Sequence, residues 1–140
     1  MATELDTLAA NLRTKLGLVS GLTVLPENVS IEDAPDTDKA YVGVFVGVDD
    51  DLDNEHGGGT YVGHIGSVAV KFAFMRDIDD ETFTDTRAGL LSLARAAVLK
   101  VSNWTSNIVI VTPNGSSESD DDTENRVDLT YRVRYRVAQD

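Results

Sequence analysis

Apolar residues recur at helical spacing in two segments of the chain. The first runs from about residue 3 to residue 16, and its apolar stripe consists of Leu5, Leu8, Ala9, Leu12 and Leu16. The second runs from about residue 79 to residue 101, and its apolar stripe consists of Leu90, Leu93, Ala94, Ala97, Val98 and Val101. Side chains three or four positions apart share one face of a helix, so both segments are predicted to be amphipathic helices that pack on a core.

In three other segments, side chains of one kind occupy every second position, as they do in β-strands. These segments are residues 41–48, 61–76 and 127–137. In the last of them one face carries Val127, Leu129, Tyr131, Val133, Tyr135 and Val137. The opposite face carries Asp128, Thr130, Arg132, Arg134 and Arg136. A shorter strand is predicted at residues 108–111, closed by a turn at residues 113–115 that contains proline, asparagine and glycine.

The order of these elements predicts an α+β fold, with an antiparallel or mixed β-sheet and two main helices packed on one face. A length of 140 residues, 41% of them hydrophobic, suits a single domain (1–140) with one core. No apolar run approaches the roughly 20 residues that a membrane span needs. The first residues also lack the basic and apolar regions of a signal peptide, so we expect a protein that contacts no membrane and is made in the cytoplasm.

The formal net charge of −12 comes largely from two acidic runs. The first contains Asp49, Asp50, Asp51, Asp53 and Glu55, and the second contains Glu118, Asp120, Asp121, Asp122 and Glu124. Outside these runs, 14 acidic residues nearly balance the 12 basic residues. Such runs are typical of solvated loops, so we predict mobile acidic loops at about residues 49–59 and 116–125.

The charge distribution also bears on partners and habitat. Because the cations are not clustered into a broad basic surface, the sequence does not favour sequence-specific binding of nucleic acid. Lysine occurs at only four positions and aspartate far outnumbers glutamate. Acid-rich, lysine-poor surfaces suit high salt, where charges are screened, so a halophilic host is one interpretation.

A search for catalytic, cofactor or metal sites yields little. The first acidic run is reminiscent of a calcium-binding loop, but Asn54 and Thr60 stand where an EF-hand loop beginning at Asp49 needs glycine and glutamate. A weak Ca²⁺ or Mg²⁺ site there and a segment that orders on a partner remain alternatives to a solvated loop. His56 and His64 have no triad-like or ligand-like partners in the sequence. We therefore expect no enzyme activity, no cofactor and no resident metal.

The arginines at 132, 134 and 136 are the most informative polar feature, since like charges on one strand face repel unless anions lie opposite. Three interpretations stand: a solvent face, a subunit contact with acidic residues of a neighbour opposite, or a DNA contact. The subunit-contact interpretation identifies a set of candidate interface residues. They are Arg132, Arg134, Arg136, Asp49, Asp50, Asp51, Asp53, Asp120, Asp121 and Asp122.

The whole arrangement resembles the tail terminator and tail-completion (head–tail joining) proteins of tailed phages. The resemblance lies in the order of the helices and strands and in the last strand, which contains Leu129-Thr130-Tyr131 followed by Val133 and Tyr135. It implies a small structural virion protein that acts as a hexameric ring, caps the tail tube and joins it to neck or connector proteins. It implies no catalytic residues.

Two alternatives stay open beside this hypothesis. One is a small acidic module that binds a ligand or a cation and has a regulatory role. The other is a different virion component, such as a neck or tail-tube subunit, because those proteins build rings from similar sheets. An enzyme whose site forms between subunits would need convergent polar groups that the sequence does not indicate.

Overall fold

The described part of the chain folds into two α-helices and a five-stranded β-sheet. The computed structural model describes residues 4–27, 29, 40–47, 61–75, 83–120 and 124–138. The helices are α1 (Glu4–Leu16) and α2 (Phe83–Leu99), and a short 3-10 helix, Val101–Asn103, follows α2. The strands are β1 (Thr23–Val24), β2 (Ala40–Gly47), β3 (Tyr61–Met75), β4 (Ile108–Asp120) and β5 (Glu124–Ala138).

The strands lie in the order β1-β2-β3-β5-β4, so β3 lies at the centre and β4 lies at one edge. The short β1 runs parallel to β2, and every other neighbouring pair is antiparallel. Pairing between β3 and β5 is continuous from Tyr61↔Ala138 to Met75↔Glu124. The predicted α+β fold with a mixed sheet is therefore confirmed.

The larger of two hydrophobic clusters among the described residues joins both helices to the same face of the sheet. The whole predicted stripe of α1 is buried there, with Leu8 and Leu12 fully enclosed. The sheet contributes alternate residues of its central strands, such as Val70 and Phe72 on β3 and Leu129 on β5. The opposite face of the sheet, called the outer face below, carries the other half of each alternation.

The buried stripe of α2 differs from the predicted one at two positions. Leu90, Ala94 and Val98 are buried as expected, but Leu93 is 52% exposed and Leu91 is buried in its place. Leu91 lies about one turn before Ala94, on the side that faces the sheet, whereas Leu93 points away. Val101 is also exposed, at 68%, because α2 ends at Leu99 and the chain turns into the 3-10 helix.

The fourth strand is much longer than the sequence predicts. The predicted turn at residues 113–115 and the beginning of the predicted acidic loop, residues 116–120, both belong to β4. The pairing with β5 continues to Asp120↔Asn125, with register irregularities that accommodate the Pro-Asn-Gly stretch. Proline is tolerated there because β4 is an edge strand. The predicted loop at 116–125 is thus wrong in its bounds, and the predicted loop at 49–59 lies outside the described residues.

Candidate functional site

Three arginines project from the outer face of β5 and form the arginine face, defined as Arg132, Arg134 and Arg136. The strand alternation places them there, because Val133 and Tyr135 are buried in the core on the other side. Arg132 and Arg136 are exposed and Arg134 is half-buried. Successive arginines lie about 7 Å apart along the strand. The predicted face is therefore present as a row of closely spaced cations.

The residues that flank the arginine face across the sheet are all uncharged. They are Gly63, Ile65 and Ser67 on β3 and Ile110 and Thr112 on β4. The opposite end of β5 is different, because Asp128 stands opposite Lys71 and the Arg126 guanidinium lies 2.5 Å from the Glu124 carboxylate. Among the strand residues described, the cross-strand neighbours on the outer face are thus charged at one end of β5 and uncharged at the other.

Apolar surface accompanies the positive charge. Ile110 pairs in register with Arg134 and is 43% exposed, and the preceding Val109 is 41% exposed. Arginine beside exposed apolar side chains is a composition enriched at protein interfaces, where its guanidinium and its aliphatic stem both make contact. The surface is therefore suited to contact with another protein.

The predicted acidic partners do not lie beside the arginine face within the described chain. Asp120 stands at the far end of β4, where its carboxylate accepts a hydrogen bond from Asn125 Nδ2 at 3.2 Å. Asn125 precedes Arg132 by seven residues on the same strand, a distance of about 23 Å. Contact between Asp120 and the arginine face therefore requires a second molecule. Asp49, Asp50, Asp51, Asp53, Asp121 and Asp122 lie outside the described residues.

A buried polar cluster, for which the sequence analysis made no prediction, ties α2 to the β4–β5 hairpin. Asn125 is only 1% exposed, and its side-chain oxygen accepts a hydrogen bond from Arg87 Nε at 2.7 Å. Its amide nitrogen donates to Glu118 at 2.8 Å, and Arg87 forms an ion pair with Glu118 at 2.8 Å. Extending the alternation of β5 back from Val127 to Asn125 is the sequence signal that places this amide toward the helices.

A solvent-open cleft of about 430 Å³ runs between α2 and β4 beside this cluster. Arg87 and Arg95 line one side, and Ser116 and Ser117 line the other. A second hollow of about 240 Å³ shares Arg95 and Ser116 and reaches Tyr131. Burial raises the pKa of the Tyr131 phenol above its ordinary value, and the nearby positive charge of Arg95 opposes that rise.

The structure describes one of the two histidines. His64 lies on β3 and stacks on the ring of Tyr135, with ring centroids 5.5 Å apart, while His56 lies outside the described residues. Within the described ranges, no three His, Asp or Glu side chains converge as a metal site would require. None of the helices described is long and apolar enough to cross a membrane.

Comparison with known proteins adds no assignment to this geometry. No protein-family model and no curated protein sequence matches the chain.

Proposed function

We propose that this protein is a structural assembly subunit that forms a ring, in the manner of a phage tail terminator or tail-completion protein. In that role it caps the tail tube and joins it to the neck or connector proteins of the virion, after assembly in the host cytoplasm. The observation that carries the proposal is the arginine face, a row of cations with neutral flanking residues and exposed apolar neighbours on an otherwise acidic molecule.

Charge complementarity supports self-association rather than a simple solvent face. A chain with a net charge of −12 repels its own copies in general, so a local patch of opposite sign favours attraction between them. The arginine face provides that patch, and the acidic runs elsewhere in the chain provide its complement. Two different surfaces that bind each other make a heterologous contact, and repetition of such a contact can close into a ring.

The test is the molar mass of the protein, measured by light scattering during size-exclusion chromatography over a range of protein concentrations at low and at molar salt. We expect a ring of about six copies, or a concentration-dependent step towards one, as the phage resemblance implies. A monomer at every concentration and salt level would contradict the proposal.

The variant Arg132→Glu examines the role of the arginine face directly. We expect a dissociation constant about three- to tenfold higher than that of the parent protein, because one attraction becomes a repulsion at the interface. Lys100→Glu is the matched control, since it makes the same charge change at an exposed position beyond the end of α2. Equal effects of the two substitutions would show that net charge matters and the arginine face does not.

A further inference from the structure

The sheet has one edge that is only partly covered by the described strands. The short β1 pairs with β2 at Tyr41 and Val42, and the Leu25 amide then donates to the Val42 carbonyl at 2.9 Å. From residue 43 to residue 47, no described strand pairs with this side of β2. Backbone groups at such an edge are a template for pairing with another strand.

Arg13 of α1 occupies the first open position at this edge. The Val44 carbonyl follows that of Val42 by two residues, so both point toward the same side of the strand. Arg13 Nη2 donates to the Val44 oxygen at 2.6 Å, where an incoming strand would otherwise donate. The buried Nε of the same guanidinium has no hydrogen-bond partner among the described residues. The Arg13 side chain therefore caps a strong backbone acceptor although its own hydrogen bonds are incomplete. We expect such a cap to be displaced by an incoming strand.

The opposite edge of the sheet is formed by β4, and its first five residues are Ile-Val-Ile-Val-Thr. All five are β-branched, the class of residue that favours strands. Val109 and Ile110 remain 41% and 43% exposed at this edge. Exposed apolar edge strands pair readily with other strands unless charge or a cover prevents it.

We propose that these two edges pair with each other between copies of the chain. Residues 108–112 of one copy add to residues 44–47 of the next copy, and the partner strand replaces Arg13 at the Val44 carbonyl. The inference rests on the proposed self-assembly and names the surface that carries it. Because the two edges are different, the contact is heterologous, and its repetition continues one sheet around a closed ring.

The proposed edge pairing also gives the arginine face a role at the interface between copies. Arg132 and Arg134 lie one strand inward from β4, so the neighbour's β2 would lie about 10 Å away from them. Beyond Gly47 the sequence reaches its first acidic run at Asp49. For either relative strand direction, the end of β2 meets a part of β4 that stands beside one of these arginines. Under the proposed edge pairing, the end of β2 in one copy and the arginine face of the next copy are therefore neighbours.

Disulfide trapping tests the proposal cleanly because the chain contains no cysteine. Phe45 and Thr112 both project on the outer face of their strands, so Phe45→Cys and Thr112→Cys proteins are mixed in equal amounts and oxidised. Opposed residues of paired strands have Cβ atoms close enough for a disulfide. We expect mixed dimers of the two variants, with Ile110→Cys in place of Thr112→Cys if the register differs by two residues. Ser102→Cys, exposed on the 3-10 helix, replaces Thr112→Cys in the control.

The outcomes separate this inference from the proposed function. Cross-links only between identical variants would overturn the head-to-tail arrangement. Absence of mixed cross-links, with light scattering still showing assembly, would overturn edge pairing and leave the proposed function standing. A protein that never assembles would overturn both.

A cysteine-free variant gives an independent readout should Phe45→Cys fold poorly. Arg13→Met keeps an aliphatic stem and removes the cap, so we expect assembly to tighten about three- to tenfold. Lys15→Met, an exposed position on the same helix, is the matched control for the lost charge. Equal or weaker assembly of Arg13→Met relative to Lys15→Met would contradict the proposed displacement.

Discussion

At the scale of single residues, Asn125 is the side chain whose replacement should be most costly among the polar positions described. It is enclosed and satisfies both Arg87 and Glu118. Asn125→Ala should lower the free energy of unfolding by about 1–3 kcal/mol, because it removes the buried hydrogen bonds that Asn125 makes to Arg87 and Glu118. Urea denaturation measures the change. Asn114→Ala, exposed on β4, should stay within about 0.5 kcal/mol, and an equally small loss at Asn125 would contradict the structural role.

Tyr131 makes stability depend on pH at the alkaline end. Its pKa in the folded protein is raised above the ordinary 10.0 by burial, so the unfolded chain loses this proton first. The stabilising contribution is therefore complete below pH 10 and is lost as the pH rises toward the folded pKa. Tyr131→Phe should make the decline in unfolding free energy above that pH shallower, as measured by urea denaturation across the alkaline range. Arg95→Met removes the opposing cation and should steepen the decline, and identical slopes in all three proteins would contradict both expectations.

At the scale of elements, a helix or strand with an uninterrupted hydrophobic repeat can be predicted from the sequence. An element that forms only through pairing with a neighbouring strand cannot. The stripe of α1 and the alternation of β5 follow from the sequence because each repeats over three turns or more than ten residues. The length of β4 does not, because Pro113 and Gly115 are turn-forming residues, whereas the ladder offered by β5 keeps them in a strand. The two-residue β1 has no period at all and exists through its pairing with β2.

The features of the candidate site also divide into those that the sequence predicts and those that it does not. Alternation alone places Arg132, Arg134 and Arg136 on one face, since that property depends only on the strand itself. The neutral flanking residues, the buried Asn125 cluster and the Arg13 cap at Val44 depend on strand order and register. No local pattern encodes those, because they arise from residues distant in sequence that meet only in the folded chain.

At the scale of the whole molecule, the described strands present two different open edges and one cationic face between them. A two-fold dimer would pair one of these edges with itself, whereas the proposed contact pairs the apolar, β-branched edge with the partly capped one. The proposed contact is therefore directed and head-to-tail, unlike that of a simple two-fold dimer. In the proposed assembly, charge at the interface would also have a direction, with cations on one copy and carboxylates on the next.

This direction yields a charge-swap prediction. Arg132→Glu and Asp51→Lys should each weaken assembly when alone, because every interface in a uniform ring then opposes like charges. An equal mixture should assemble again, since alternating copies place the introduced glutamate beside the introduced lysine at one interface. At the next interface, on the charge-pairing hypothesis, the native Arg132 would face the native Asp51. Light scattering on the mixture, with each variant alone as the control, measures the recovery.

Strict alternation closes only in a ring with an even number of copies, so a restored ring contains equal numbers of the two variants. Native mass spectrometry distinguishes that composition from a random one when one variant carries a heavy-isotope label. Recovery with random composition would mean that net charge alone governs assembly. A mixture that stays as dissociated as its components would show that Arg132 and Asp51 do not meet across the interface, because restoring their opposite charges would then restore nothing.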